Sequence, residues 1–529
     1  MNQQTQSATS RVAKAAGAVM AAFILSNLTG LIRQIMVARA FGTGMDMEAF
    51  NAANRVSETL FNLVAGGALA SAFIPTFSGL LVRNQSESAW KLASAIANLV
   101  LIVIGLLALV SWGLAPQIVR YVLAPGFTQN PIKEAQTVHL LRLMLPSAVL
   151  FSLSGLVMGI LNSHQVFFIP ALTPSMYQIG MIFGVLVLAP RMGIEGLAWG
   201  VVIGSALHFG LQIPSLIQLK GKYFKSLAWQ MPAVREVIRL FAPRLVGVAV
   251  VQLNFWINTR IASTQPEGSV TGIVLGFTLM LMPQAAIAQS VAIAALPTLS
   301  SHFALGKMDE FRATLVAGLR GILVLAIPAM IGLIILRRPI VALLYQRGAF
   351  TSHSTELVSW ALLWYTVGLV GHCVVEILAR AFYAMHDTQT PVIVGSIAMG
   401  LNIGFSFLFS KWFSNMGWMP HGGLALANSL ATAFEMVGLS YLMHKQLKGL
   451  EGQIIAKVIL QSSIASGGMV LGLLWWLKTS RELHVVWISL GGIAMGGLIY
   501  LIIGWVLGNQ EIRRGISLIQ QKLIKVGFL

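Results

Sequence analysis

The stretch SNLTGLIRQIMVARAFG (26–42), followed after a short polar turn by AFNAANRVSETLFNLVAGGALASAFIPTFS (49–78), decides how this chain is read. Both segments have the composition of lipid-soluble helices, yet Arg33 and Arg39 interrupt the first and Arg55 the second. An arginine at the centre of a bilayer costs about 2.5–3.5 kcal/mol on insertion scales, unless it faces a wet cavity or a partner. The expectation is that these guanidinium groups line a cavity and hold an anionic headgroup. The planar fork of a guanidinium, with paired donors, suits a diphosphate. Gly30 lies one turn before Arg33, and Arg55 and Glu58, three apart, share a helix face. Arg260 closes the apolar stretch QLNFWINTRIAS (252–263), which also carries Gln252, Asn254 and Asn258.

The rest of the chain sets these segments in a membrane. Of 529 residues, 56% are hydrophobic and 10% charged, and the mean hydropathy is +0.79. Soluble domains carry about 25% charged residues. Apolar runs long enough to span fall near 15–41, 49–81, 90–114, 135–162, 168–189, 194–218, 234–262, 270–301, 311–336, 355–384, 391–411, 422–444, 453–477 and 484–507. The fold class expected is an all-α polytopic membrane protein of about fourteen transmembrane helices. The formal charge of +18 is read as cationic loops on one side, not as a nucleic-acid surface, because no basic stripe interleaved with aromatics stands on a polar scaffold. The loop bias supports both termini being cytoplasmic. Arg337 and Arg338 run against that bias.

The chain repeats itself. Pro75-Thr76-Phe77-Ser78 recurs as Pro297-Thr298-Leu299-Ser300, and Pro125-Gly126-Phe127 finds its mate in Arg347-Gly348-Ala349-Phe350. His164 matches His386, Gly196-Leu197-Ala198 matches Gly423-Leu424-Ala425, and Arg39 is the mate of Arg260. The offsets cluster near 222. Residues 1–217 are expected to form an N-lobe (spans 1–6) and 233–446 a C-lobe (spans 7–12). The repeat is parallel, with a substrate site expected between the halves. Between the lobes, 218–232 is read as an interfacial amphipathic linker, its Lys220, Lys222 and Lys225 alternating with Tyr223, Phe224 and Trp229 in the manner of a helix at headgroup level. Residues 447–529 supply a C-terminal helix pair (spans 13–14) and a basic tail.

Several chemistries find no footing. Cys373 is the only cysteine and sits in an apolar setting, so no intrachain disulfide and no Cys-based metal site is expected. No phosphate-cradling glycine loop with a lysine, no spaced histidine cluster and no Ser/His/Asp arrangement stands out, so neither cofactor nor metal is expected, and the chain is not read as an enzyme. Arg142, Arg244 and Arg320 are further intramembrane charges. Glu376 and Arg380, four apart, are read as neutralising each other, and Glu435 is a candidate proton carrier. Gly66-Gly67-Ala68 is read as plain helix packing.

The segments GLIRQIMVARAFG, YVLAPGFTQNP, LLRLMLPSAVLFSLSGLVMGILNS, FFIPALTPSMYQIGMI, LYQRGAFT and ARAFYAMHDTQTP, taken with the stretch at 49–78, resemble the MurJ/MviN family of lipid II flippases, within the wider multidrug and polysaccharide exporter group. The resemblance covers roughly residues 11–450. It implies fourteen spans, two six-helix lobes and a final helix pair forming a lipid groove. It also implies that a polyprenyl-diphosphate-linked peptidoglycan precursor is moved across the cytoplasmic membrane by alternating access. The partners implied are that lipid-linked diphosphate sugar and the membrane lipids, with a coupling cation or the membrane potential as driving force. The substrate-binding residues it implies, joined to those read above, are Ser26, Asn27, Gly30, Arg33, Arg39, Glu48, Arg55 and Arg260. Asn27 stands where the family usually has arginine, Gln34 where it has an acid, and Glu48 where an aspartate is typical. The alternative is export of another lipid-linked oligosaccharide or an amphipathic solute. Rivals of other classes are an enzyme modifying a polyprenyl-linked sugar and a non-transporting scaffold of cell-wall synthesis.

Overall fold

The computed structural model describes residues 2–64 and 68–525. Gly66 and Gly67 lie outside them. The described residues form helices joined by short turns, with no strand. Eleven helices are long and apolar enough to cross a membrane, or thirteen when each of two bent pairs is taken as one span. These coincide with thirteen of the stretches expected from hydropathy. The remaining one, 49–81, is described as helix over Met45–Val64 and over Ala68–Val82. The first of them carries Asp46, Glu48, Arg55 and Glu58, too many charges for a lipid-facing span.

The chain falls into two compact units, Met1–Val270 with Arg347–Phe350, and Thr271–Gln346 with Thr351–Leu529. The first unit holds α1 (Asn2–Phe41), α2 (Met45–Val64), α3 (Ala68–Val82), α4 (Ser86–Gly113), α5 (Pro131–Ser163), α6 (Phe168–Phe183), α7 (Ile194–Gly210) and α8 (Pro232–Ser263). Its centre is α5, which packs against α2, α3, α4 and α7 and buries Leu140, Leu141, Met144, Ala148 and Leu161. On the other side α1 packs on α6 and α6 on α7, while α8 lies on α2 and α3. α8 is bent by 43° between Pro232–Ala242 and Gly247–Ser263.

The next helices are α9 (Ser269–Gln284), α10 (Ser290–Ala304), α11 (Met308–Tyr345), α12 (Ser352–Val367), α13 (Leu369–Ala384), α14 (Gln389–Asn415), α15 (His421–Gln446), α16 (Gly452–Thr479), α17 (Val485–Val506) and α18 (Gln510–Lys525). In the second unit α11 is the hub for α10, α12, α13, α16 and α17. The last two spans pack on each other and on α11, where the Tyr500 hydroxyl donates to Val324 O at 2.6 Å. Arg320 of α11 is paired with Glu511 of α18.

Helix boundaries carry the repeat seen in the sequence. α4 begins at Ser86 and α11 at Met308, 222 apart. α1 ends at Phe41 and α8 at Ser263, again 222 apart. The mate of α5 is the pair α12–α13, bent by 49° at Gly368, whose own mate in α5 is Pro146. At the bend the Ser429 hydroxyl donates to Trp364 O at 2.6 Å, repairing a carbonyl that the broken helix leaves open.

Two clasps also follow the repeat. Gly348 has a φ of +60° and lies so near α1 that an added Cβ would stand 2.5 Å from Arg39 O, while the Ala349 amide donates to the same oxygen at 2.9 Å. Its mate Gly126 approaches the end of α8, where a Cβ would stand 2.0 Å from Ser263 O. Only glycine permits such contact between a loop and a helix end.

The linker departs from the expected interfacial helix. Residues 219–231 are not helical. Lys220 and Ala228 adopt positive φ, which interrupts a helix, and the segment lies as a non-helical strap along α4. There Asn98 Nδ2 donates to Phe224 O and Ser226 O, and the Phe224 amide donates to Ser94 Oγ at 3.1 Å.

Candidate functional site

All eight residues expected to bind substrate lie in the first unit. Arg33 projects from α1 toward α6. Its one hydrogen-bond partner among the described residues is the Met181 thioether, 3.2 Å from a terminal nitrogen, and its Nε is buried without a partner there. No carboxylate lies within 4 Å of it among the described residues. One turn earlier Gly30 faces Gln178, whose side chain would be 3.6 Å from an added Cβ. Gln178 Oε1 is likewise buried and unpartnered. Buried donors and acceptors are nearly always satisfied. A cation and an amide oxygen gathered on one interhelical face, each with an open valence, form a receptacle for a polar ligand or water.

Arg55 sits one helix away on α2. It pairs with Glu58 at 3.1 Å, and Asn54 donates to the other Glu58 oxygen at 2.8 Å. Its guanidinium lies over the Phe255 ring of α8 at 5.2 Å, and its Nε is also buried without a partner. Next to it Thr59 receives a 2.7 Å bond from Trp256 Nε1 and bonds Gln252 at 3.3 Å. The Tyr177 phenol on α6 lies within electrostatic reach of both Arg33 and Glu58. Its ring meets Phe151, which meets Phe61 of α2. Arg33, Tyr177, Glu58 and Arg55 are therefore one polar neighbourhood walled by aromatic rings.

The other expected residues have different settings. Ser26 is half-buried and Asn27 exposed on α1. The Arg39 side chain is exposed while its carbonyl holds the 347–350 loop. Glu48 is sealed: Lys133 Nζ donates to one oxygen at 2.5 Å and the Val270 amide to the other at 2.8 Å. Arg260 donates to the carbonyls of Tyr121 and Val122, fastening α8 to the segment between α4 and α5. Sequence reading missed Gln178, Met181 and Lys133. Gln178 was visible as a polar residue inside an apolar span. Lys133 was not, because its partner lies 85 residues away.

In the second unit Glu376 and Arg380 pair at 2.9 Å, as their spacing predicts. Glu435 forms no ion pair within 4 Å among the described residues and lies against Gly395. Cys373 is buried. No group of three metal-ligating side chains occurs among the described residues.

Residues 37–493 match the lipid II flippase MurJ family. The chain belongs to that family. A MurJ relative from Burkholderia cenocepacia, a lipid II flippase, is 32% identical over 413 residues, covering 76% of this chain and 78% of its own. A solved MurJ structure in an inward closed conformation superimposes with a TM-score of 0.79 at 28% identity, covering 92% of this chain and 98% of that one. An inward-facing multidrug transporter of the MATE family shares the fold with a TM-score of 0.68 at 14% identity. MurJ membership and the run of apolar helices together make the chain a polytopic membrane transporter. Arg55, Glu58 and Tyr177 lie inside the MurJ-matched region, and Arg33 lies four residues before it opens.

Proposed function

We propose that the chain is a lipid II flippase: it moves the undecaprenyl-diphosphate-linked peptidoglycan precursor across the cytoplasmic (inner) membrane by alternating access, with both termini cytoplasmic and no covalent chemistry. The observation that carries the reading is Arg33, a cation inside an apolar helix that has no acid beside it and a buried unpartnered Nε. A diphosphate supplies the charge and the acceptors that site lacks. Arg55, held by Glu58, is a second grip that opens when the carboxylate gives way to phosphate. Ser26, Asn27 and Gly30 lie on the same helix as Arg33 and shape the approach. Arg39, Glu48 and Arg260 act through the backbone and ion-pair contacts that hold the loops around the site. A charged sugar diphosphate cannot cross hydrocarbon unaided, so the work is to shield it. A coupling cation or the membrane potential drives the step.

The test is complementation. Cells depleted of their own lipid II flippase are expected to grow when they express this chain and to lyse when they express Arg33→Ala at the same level. Lysis with the unaltered, membrane-inserted chain overturns lipid II as cargo. Movement of another polyprenyl-diphosphate sugar by the same protein in vesicles then supports the broader exporter reading.

A further inference from the structure

The first unit contains a second cavity that the transport reading does not use. It has a volume of about 290 Å³ and lies between α4, α5, α7 and the extended linker. Its walls are almost wholly apolar, among them Trp90, Ala97, Val157, Phe209 and Ile217, and Lys222 and Tyr223 stand at its mouth. That volume corresponds to about ten water-sized units at roughly 30 Å³ each, the bulk of a similar number of methylenes. Ile217 and Tyr223 are 69% and 64% exposed, so the cavity opens outward and is not sealed in the core.

The rim is cationic. Lys220, Lys222 and Lys225 lie on the linker, and Lys91 of α4 stands over the Phe224 ring at 5.5 Å. Lys91 is paired with Glu87 at 2.7 Å, whereas Lys222 forms no ion pair within 4 Å among the described residues. The mouth itself is built, since the Tyr223 hydroxyl donates to Asn98 Oδ1 at 2.6 Å and the linker backbone is bonded to Ser94 and Asn98. A Cβ at Gly221 would stand 2.3 Å from the Trp90 ring, which shows how closely the linker crosses the indole. Trp and Tyr mark headgroup depth, and lysines there attract anionic lipid.

We propose that this cavity holds one acyl chain of an anionic phospholipid, with the lipid phosphate on Lys222. An outward-opening apolar cavity with the bulk of about ten methylenes and Lys222 in its lining matches a lipid with a negative headgroup and the proximal part of an extended tail. The bound lipid covers the wall that the extended linker leaves open and fastens the linker to α4.

The test uses the purified full-length chain with phosphatidylglycerol and phosphatidylcholine as probes, retention after detergent washing being read by native mass spectrometry. The unaltered chain is expected to keep about one phosphatidylglycerol and to prefer it over phosphatidylcholine about tenfold, a 1.4 kcal/mol difference. Lys222→Glu is expected to lose the preference, and Ala97→Phe, which fills the slot, to lose retention of both lipids. Because Ala97→Phe perturbs packing, a phosphatidylglycerol carrying a photoreactive acyl chain provides a second reading on the unaltered chain. Crosslinks are expected on peptides containing Ala97 or Val157. Crosslinks only elsewhere, or an undiminished preference in Lys222→Glu, overturn the proposal.

Discussion

Arg33→Ala is expected to slow flipping of a polyprenyl-diphosphate sugar by about 30- to 1,000-fold in vesicles while leaving the thermal midpoint unchanged or slightly raised. Truncating one partner of a buried charged hydrogen bond costs about 2–4 kcal/mol, which gives that range. Among the described residues this side chain's one hydrogen bond goes to the Met181 sulfur, so the fold is expected to depend little on it. Its removal also relieves the chain of a charge in an apolar helix. Arg33→Lys restores the charge but not the planar fork, so it should recover only part of the rate. Arg55→Ala differs in kind. It strips Glu58 of its cation, and both rate and stability should fall. A rate close to that of the unaltered chain in Arg33→Ala would remove the guanidinium from the transport cycle.

Lys133→Met is expected to have the largest effect on stability. Glu48 is 2% exposed and Lys133 8%, and they form an ion pair beneath the Phe127 ring, which the ammonium approaches to 4.0 Å. Losing one member strands a buried charge, at a cost of about 3–5 kcal/mol. Glu48→Gln combined with Lys133→Met removes both charges and should recover most of the loss, because the Gln carbonyl can still accept from the Val270 amide. The measurement is a melting series on the single and double variants. Additive losses would show that the two side chains do not depend on each other. Retained flipping in the double variant would place Glu48 outside cargo binding.

The helices were legible because a membrane span must satisfy its backbone internally and be apolar for about twenty residues, conditions a hydropathy pattern reports directly. The repeat was legible for a related reason: equal helix lengths and loops keep markers such as Gly126 and Gly348 at one offset. The pairing of Glu376 with Arg380 followed from helix geometry alone. What failed to show were contacts between residues distant in the chain. Nothing near Glu48 announces Lys133, and nothing near Arg260 announces the carbonyls of Tyr121 and Val122. The Arg337–Arg338 pair, which runs against the loop charge bias, is absorbed locally: Arg338 pairs with Glu356 at 2.8 Å and Arg337 donates to Ile334 O. The linker misled because basic and aromatic composition suits an interfacial helix, while its two positive-φ residues interrupt a helix and leave a non-helical strap.

The receptacle beside Arg33 can be probed directly through its neighbour Gln178. With Cys373 replaced by alanine, Gln178→Cys offers a single thiol on the face of α6 opposite Gly30. A membrane-impermeant methanethiosulfonate should modify that thiol in sealed vesicles, and undecaprenyl diphosphate should protect it, whereas undecaprenol should not. A thiol reached only by lipid-soluble reagents, or modified equally with and without the diphosphate, would mean that no water-filled, phosphate-binding site exists at Arg33.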